Sequence, residues 1–548
     1  LNADPQFSAI GPSHVDPRSG EILDADIAIE GMAVRAMRGI RSQVLGAQRL
    51  PDVPGGSGGA GQGGSTATPA VGSGPAPADF APRFVIPGLE GLAVAEGRLP
   101  WHDMRYCNHA HFAAEQGQYA MAVLEARGEL DPDSPIAQQF VLDFIKDNTM
   151  HEVGHALGLR HNFRASRVYS EAQLADAEFT RAHGTTGSVM EYNPINLARP
   201  GVRGGVPFQS TLGPYDYWAI EYAYKPMPTG TLPAAEEAEL QRIAGRSADP
   251  LLAFGTDEDS FVGLDPETLP TDLGADPIAF ASKRLAIAQD LFKRQETRAL
   301  APDRDYAVLR RSLGFALSDV ARAVGVLARQ LGGVRTLRDY PGSGRDPLQP
   351  VPAALQREAL TLILSHTLSP DGLALSPGLQ RRLAPDYLDR ADAWGLPTEF
   401  QVPQRLLELQ RAVLAYLMSD LLAGRVLDNL GKLDKPGDGL PLAELHRQLT
   451  RSVWREIESE RAAVPISAAR RELQREHVNR LAFMVLRPTP GGRTDTRNQV
   501  RETASRLLER LERMARRSGL DSDSQSHLAD SADTLRQAIR APLLRQGL

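Results

Sequence analysis

Met150-His151-Glu152-Val153-Gly154-His155-Ala156-Leu157-Gly158-Leu159-Arg160-His161-Asn162-Phe163 is the stretch on which the reading of this chain turns. It contains the pattern H-E-x-x-H-x-x-G-x-x-H. On a helix a four-residue step is slightly more than one turn, so His151 and His155 project from one face and both imidazoles reach a common point. A helix that continued would carry His161 away. Gly158 can adopt the left-handed backbone that ends helices without a Cβ clash, and a turn there brings His161 round as a third nitrogen donor. Three neutral imidazoles form a zinc donor set that leaves one position open, as in a catalytic rather than a closed structural site. Glu152, next to His151 but turned about a third of the way round the helix, can take a proton from water at that position. A bare H-E-x-x-H arises by chance on amphipathic helices; Gly158 and His161 at fixed offsets make coincidence rarer by roughly several hundredfold.

Working outward, Ser134-Pro135 predicts the start of this helix, because Ser caps free backbone N–H groups and Pro at the first helical position gives up an N–H that lacks a partner there. Ile136, Phe140, Val141, Phe144 and Ile145 recur at helical spacing and predict a buried face leading into His151. Upstream, Ile22 to Glu30 alternates, with Leu23, Ala25, Ile27 and Ile29 on one side. That is strand periodicity, and the turn residues Asp16 to Gly20 predict a hairpin with Phe7 to Ile10. Met32 to Leu50 reads as a helix. Pro51 to Pro82 is mostly Gly, Ser, Ala, Pro and Thr, too poor in large apolar side chains to offset the entropy of ordering, and reads as a flexible surface insert.

Beyond about Pro226 amphipathic helices dominate. Leu313, Leu317, Val320, Val324 and Leu327 follow a heptad-like spacing closed by Gly332-Gly333, and further helical patterns occupy roughly 353–368, 404–422, 442–463, 467–486, 499–518 and 526–539. The expectation is an α+β chain: a catalytic domain over 1–226, a twisted sheet with the motif helix packed on it and the 51–82 insert, then an all-helical domain over 227–548.

A chain of 548 residues exceeds one ordinary core. Its net charge of -7, from 61 basic and 68 acidic residues, argues against a nucleic-acid partner. No apolar run approaches the roughly eighteen residues of a membrane span. Cys107 is the only cysteine, so no intrachain disulfide can form. The chain opens at Leu1 without signal-peptide character, which leads to the expectation that something precedes it. His102, His109 and His111 cluster near Cys107; they are read as polar positions bordering the cleft, in preference to a second metal site in which the alternate spacing of His109 and His111 would put both on one face of a strand. Cys107 is read as a buried thiol in preference to an inhibitory metal ligand.

The extended histidine motif resembles that of the metzincin peptidases, a class in which a downstream Met-turn is expected. Ser188-Val189-Met190-Glu191-Tyr192 resembles the Met-turn of the astacin and serralysin branches. By that resemblance Met190 lies beneath the zinc-binding imidazoles, and Tyr192 sits beside the metal, binding it at rest and swinging away to stabilise the tetrahedral intermediate. Val15 to Ile22, Asn162-Phe163, Asn193-Pro194, Gly213-Pro214-Tyr215-Asp216-Tyr217-Trp218 and Arg470 to Arg475 are similar to segments of large bacterial zinc-dependent metalloproteases with a helical C-terminal region. Asn162 departs from the better-known branches, where astacins have Glu and matrixins Ser. The resemblance implies a zinc endopeptidase with one catalytic ion, a protein or peptide substrate, a pocket formed partly by residues 193–197, and a periplasmic or secreted location. Two other readings stand beside it: a metal-dependent hydrolase of a non-peptide amide, and an inactive metal-bound interaction protein.

Overall fold

The computed structural model describes residues 9–10, 13–29, 109–130, 134–262, 265–300, 305–370, 372–385, 398–458, 464–487 and 493–542. The expected helix over 32–50, the 51–82 insert, His102 and Cys107 lie outside the described residues, as does the side chain of His111.

The motif helix spans Pro135–Ala156 and begins as its sequence predicts: Ser134 accepts a hydrogen bond from Ala137 N, and Pro135 occupies the first position. Phe140, Val141 and Phe144 are buried, while Ile136 is exposed, so the buried face starts one turn later than its apolar spacing implies. At the far end Gly158 has φ +84°. Its N–H reaches His155 O at 2.9 Å and Leu159 N–H reaches Gly154 O at 3.0 Å, so a left-handed glycine closes the last turn.

The twisted sheet expected beneath this helix is absent among the described residues. What forms instead is a set of two-stranded antiparallel pairs: Ala9–Ile10 with Ala28–Ile29, Ser13–Val15 with Ile22–Ala25, and Val334–Thr336 with Leu348–Pro350. The N-terminal hairpin is therefore present, and Gly20 at φ +77° makes its turn. Among the described residues alternation does not produce a larger sheet, and its apolar side is left open: Leu23 is 64% exposed and Ile27 40%. Two short strands without a covered face do not make a core.

The core is helical. Helices Pro277–Thr297 and Ala307–Gln330 pack on each other and on His109–Arg127, which in turn packs on the motif helix, and Leu313, Leu317, Val320, Val324 and Leu327 are all buried in Ala307–Gln330. Gly332 at φ +60° follows it. Toward the C-terminus lie Ala353–Ile363, Val402–Leu417, Asp420–Leu430, Leu442–Val453, Ala468–Leu486, Thr494–Ala515 and Ser522–Arg540. The pattern read as one helix over 404–422 divides at Ser419, whose side chain caps the second piece through Leu422 N. Buried residues on both sides of Pro226, Phe144 and Phe208 before it and Leu285 and Val320 after it, join one apolar cluster. A buried guanidinium also bridges these regions: Arg284 bonds Asp319 at 2.9 Å, Gln116 at 2.7 Å and the carbonyl of Ile195 at 3.1 Å. No described helix is long and apolar enough to cross a membrane.

Candidate metal centre

The helix, its glycine stop and the turn beyond bring His151, His155 and His161 together, with one donor atom from each lying within 4.8 Å of the others. Each ring is held from behind. His151 Nδ1 lies 2.7 Å from Val189 O, His155 Nδ1 3.0 Å from Leu159 O, and His161 Nδ1 2.9 Å from Asp257 Oδ1. Carbonyl oxygens only accept, so the protons of His151 and His155 sit on Nδ1 and leave Nε2 bare. The Nε2 atoms of His155 and His161 are 3.1 Å apart. Two nitrogens bound tetrahedrally at about 2.05 Å from one ion would be separated by roughly 3.3 Å. The donor set fits a zinc ion.

Burial keeps the rings of His151 and His155 neutral, as ligands must be. It pushes His151 well below the usual imidazole range, reinforced by its histidine neighbours, and brings His155 to about 4 with a further contribution from His161. Asp257 is affected in both directions: burial disfavours its charge, but the hydrogen bonds and electrostatic attraction it receives, those of His161 foremost, outweigh burial and lower its pKa.

Glu152 is fully buried, next to His151 on the motif helix. Tyr192 packs beside the cluster, its ring centroid 4.7 Å from that of His161 and 5.5 Å from that of His151. Met190 is fully buried, its sulfur against Gly154, and its carbonyl accepts from Asn162 N–H at 2.9 Å, tying this turn to the residue after the third histidine.

The role of the 213–218 segment is structural. Asp216 Oδ2 accepts from Gly213 N at 2.8 Å and from Val189 N at 3.0 Å, while Oδ1 accepts from Ser188 Oγ at 2.6 Å. One carboxylate thus caps the helix Pro214–Tyr224 and fixes the 188–190 turn whose carbonyl orients His151. Gly213 is required there, because a Cβ would lie 2.0 Å from Gly187 O. Glu191 holds the next step, accepting from Ser166 N at 3.1 Å and Tyr192 N at 3.0 Å.

His109 does not lie on the strand that a second metal site would need. It opens the helix His109–Arg127, so His109 and His111 are not on one strand face. Its ring is fully buried and stacks on His151, centroids 4.3 Å apart, with Tyr192 at 5.4 Å. Burial, then His161 and His155, push it down to about 3. Asp147, one turn before His151, lies 3.9 Å away and is pushed up to about 8 by burial. Burial thus disfavours charge on both the imidazole and the carboxyl group beside it.

Among the described residues His151, His155 and His161 are the one group with metal-holding geometry. A buried three-histidine site on H-E-x-x-H and the following turn, with a methionine turn closing over its back, defines a zincin-type metal centre. The Met-zincin family model matches residues 133–461, more than half of the chain, and the chain belongs to that family. No curated protein and no solved structure matches it.

Proposed function

We propose that this chain is a zinc-dependent endopeptidase. The observation that carries the reading is the convergence of three Nε2 atoms, each ring held through Nδ1, on a helix that also presents Glu152. His151, His155 and His161 would hold the ion. A bound zinc ion would supply Lewis-acid polarisation of the scissile carbonyl and would acidify the attacking water.

The chain's own groups do the rest. Glu152 accepts the proton of the attacking water as the new C–O bond forms, and returns it to the amine nitrogen as the C–N bond breaks, so no proton is left over. Tyr192, beside His161, donates through its phenol to the oxygen that becomes negative in the tetrahedral intermediate. Met190 packs and does not react. Residues 193–197 continue from this turn and form part of the pocket for the residue after the scissile bond. An extended peptide is the substrate class that the metzincin resemblance implies. The residues before Pro226 hold the ligands and the Met-turn, and we read those after it as a helical extension. A periplasmic or secreted location follows from the resemblance to exported bacterial metalloproteases.

Incubation of the zinc-loaded chain with an unfolded protein and with a panel of non-peptide amides, each with and without a chelator, tests this. Chelator-sensitive proteolysis supports the reading. Turnover of the amides alone would favour a different hydrolase, and zinc binding without turnover an inactive interaction protein.

A further inference from the structure

The three histidines are not supported alike. His151 and His155 stand on a regular helix and give their Nδ1 protons to backbone carbonyls, Val189 O and Leu159 O. His161 stands beyond Gly158, where the chain has left the helix. Its partner is a carboxylate, Asp257 Oδ1 at 2.9 Å, from a segment 96 residues downstream.

That segment is built to hold still. Asn162 donates to Ala253 O at 3.1 Å and accepts from Gly255 N at 3.2 Å, and Phe163 N donates to Gly255 O at 2.7 Å. Thr256 N donates to Asp259 Oδ2 at 2.9 Å, and Thr256 Oγ1 to Asp257 Oδ2 at 3.2 Å. Arg160, on the other side of His161, grips Glu258 through two contacts of 2.8 Å and comes within 3.6 Å of Asp257 Oδ2. Residues 160–163 and 253–259 therefore form one cross-tied unit around the third ligand.

We propose that Asp257 is a positioning residue of the metal centre, fixing the ring and tautomer of His161 and strengthening Nε2 as a donor, so that the downstream segment sets zinc affinity. The inference rests on the zinc reading of the three histidines. A carboxylate is a stronger acceptor than a carbonyl, and its charge offsets part of the charge of a dication held by three neutral rings. The ligand without helical support is the one that receives it. Loss of such a partner typically weakens metal binding about 10- to 100-fold.

The test uses the full chain as wild type, Asp257→Ala and Asp257→Asn. Zinc dissociation constants are measured by chelator competition, the absorption spectrum is recorded with cobalt in place of zinc, and melting is followed after metal removal. Asp257→Ala should weaken zinc by about 10- to 100-fold. Asp257→Asn, which keeps an acceptor but not the charge, should lose less. Both should shift the cobalt spectrum, while the metal-free melting temperature of Asp257→Asn stays at the wild-type value. A purely structural role would move the metal-free melting and leave the spectrum alone. Wild-type affinity and spectrum in both variants would overturn the inference while leaving the zinc centre intact; a wild-type chain that takes up no zinc would overturn the underlying reading and this inference with it.

Discussion

The sulfur of Met190 fills the space that a side chain on Gly154 would need: a Cβ at residue 154 would lie 2.2 Å from Sδ. Gly154 sits between the first two histidines, in the last turn of the motif helix, where glycine costs up to about 1 kcal/mol relative to alanine. The cost is accepted because the Met-turn must approach the motif helix closely enough for Val189 O to reach His151.

Gly154→Ala should therefore destabilise the chain despite its better helix propensity, by about 1–2 kcal/mol net, since overpacking a filled core costs about 1–3 kcal/mol. Urea unfolding checks the sign. Shortening the obstructing side chain as well should recover part of the loss, so Gly154→Ala with Met190→Ala should be less destabilised than the sum of the single changes. Additive losses would show that the two residues do not compete for the same space.

A second prediction concerns acid stability and lies far from the metal. His446, His477 and His527 lie on three different C-terminal helices, and His477 and His527 flank Trp454. Trp454 Nε1 donates to His477 Nδ1 at 3.2 Å, and His527 stacks on the indole at 5.8 Å. Burial pushes all three imidazoles down, His477 to about 3 and His446 and His527 to about 4. The unfolded chain, titrating near pH 6.5, then binds more protons than the native one. Stability is fully present above about pH 6.5 and falls as pH drops toward 4, by an amount on the order of several kcal/mol for the three together. Melting temperature against pH, measured after chelation to remove any metal contribution, should slope downward in this window. His477→Gln should flatten the slope. An unchanged slope in the variant would remove His477 from the cause.

The third prediction separates packing from chemistry at His109. Its ring meets His151 face to face and lies 3.9 Å from a carboxyl group whose charge burial disfavours. His109→Phe, which keeps an aromatic face, should retain zinc binding, whereas His109→Ala should cost roughly 3 kcal/mol by opening a cavity behind the ligand. Equal loss of metal in both variants would mean that the imidazole nitrogens matter.

What was legible in the sequence was local. Ser134, Pro135, Gly158 and the histidine spacing each act within a few residues, so helix, stop and ligand set follow from short-range rules, and the helices after residue 300 follow from periodicity. The sheet was misread because alternation reports only which residues share a side. It cannot report that the Leu23 and Ile27 side is left open among the described residues. The strand alternative for His109 and His111 fails for the same reason, spacing by two being compatible with a helix start. Asp257 was invisible because Asp257-Glu258-Asp259 looks like any solvated acidic run, and only the tertiary fold brings it across 96 residues to His161.

For Tyr192 the expectation is kinetic. If its phenol stabilises the developing oxyanion, Tyr192→Phe should keep zinc and substrate binding while kcat falls by about 10² to 10³, or roughly 2.7 to 4 kcal/mol. His161→Ala should instead lose the metal, since it removes one of three protein ligands. Wild-type kcat in Tyr192→Phe would leave the reaction to the metal and Glu152 alone.

The central claim is tested most directly by the rate at which the zinc-loaded chain and its Glu152→Ala variant cleave an unfolded protein, with bound zinc quantified in the same samples. The account predicts one zinc ion per chain in both, with cleavage in the wild type and a loss of at least about 10² to 10⁴ in the variant, the scale of a general base. Equal cleavage by the two proteins, or full-rate cleavage by a chain that holds no zinc, would contradict it.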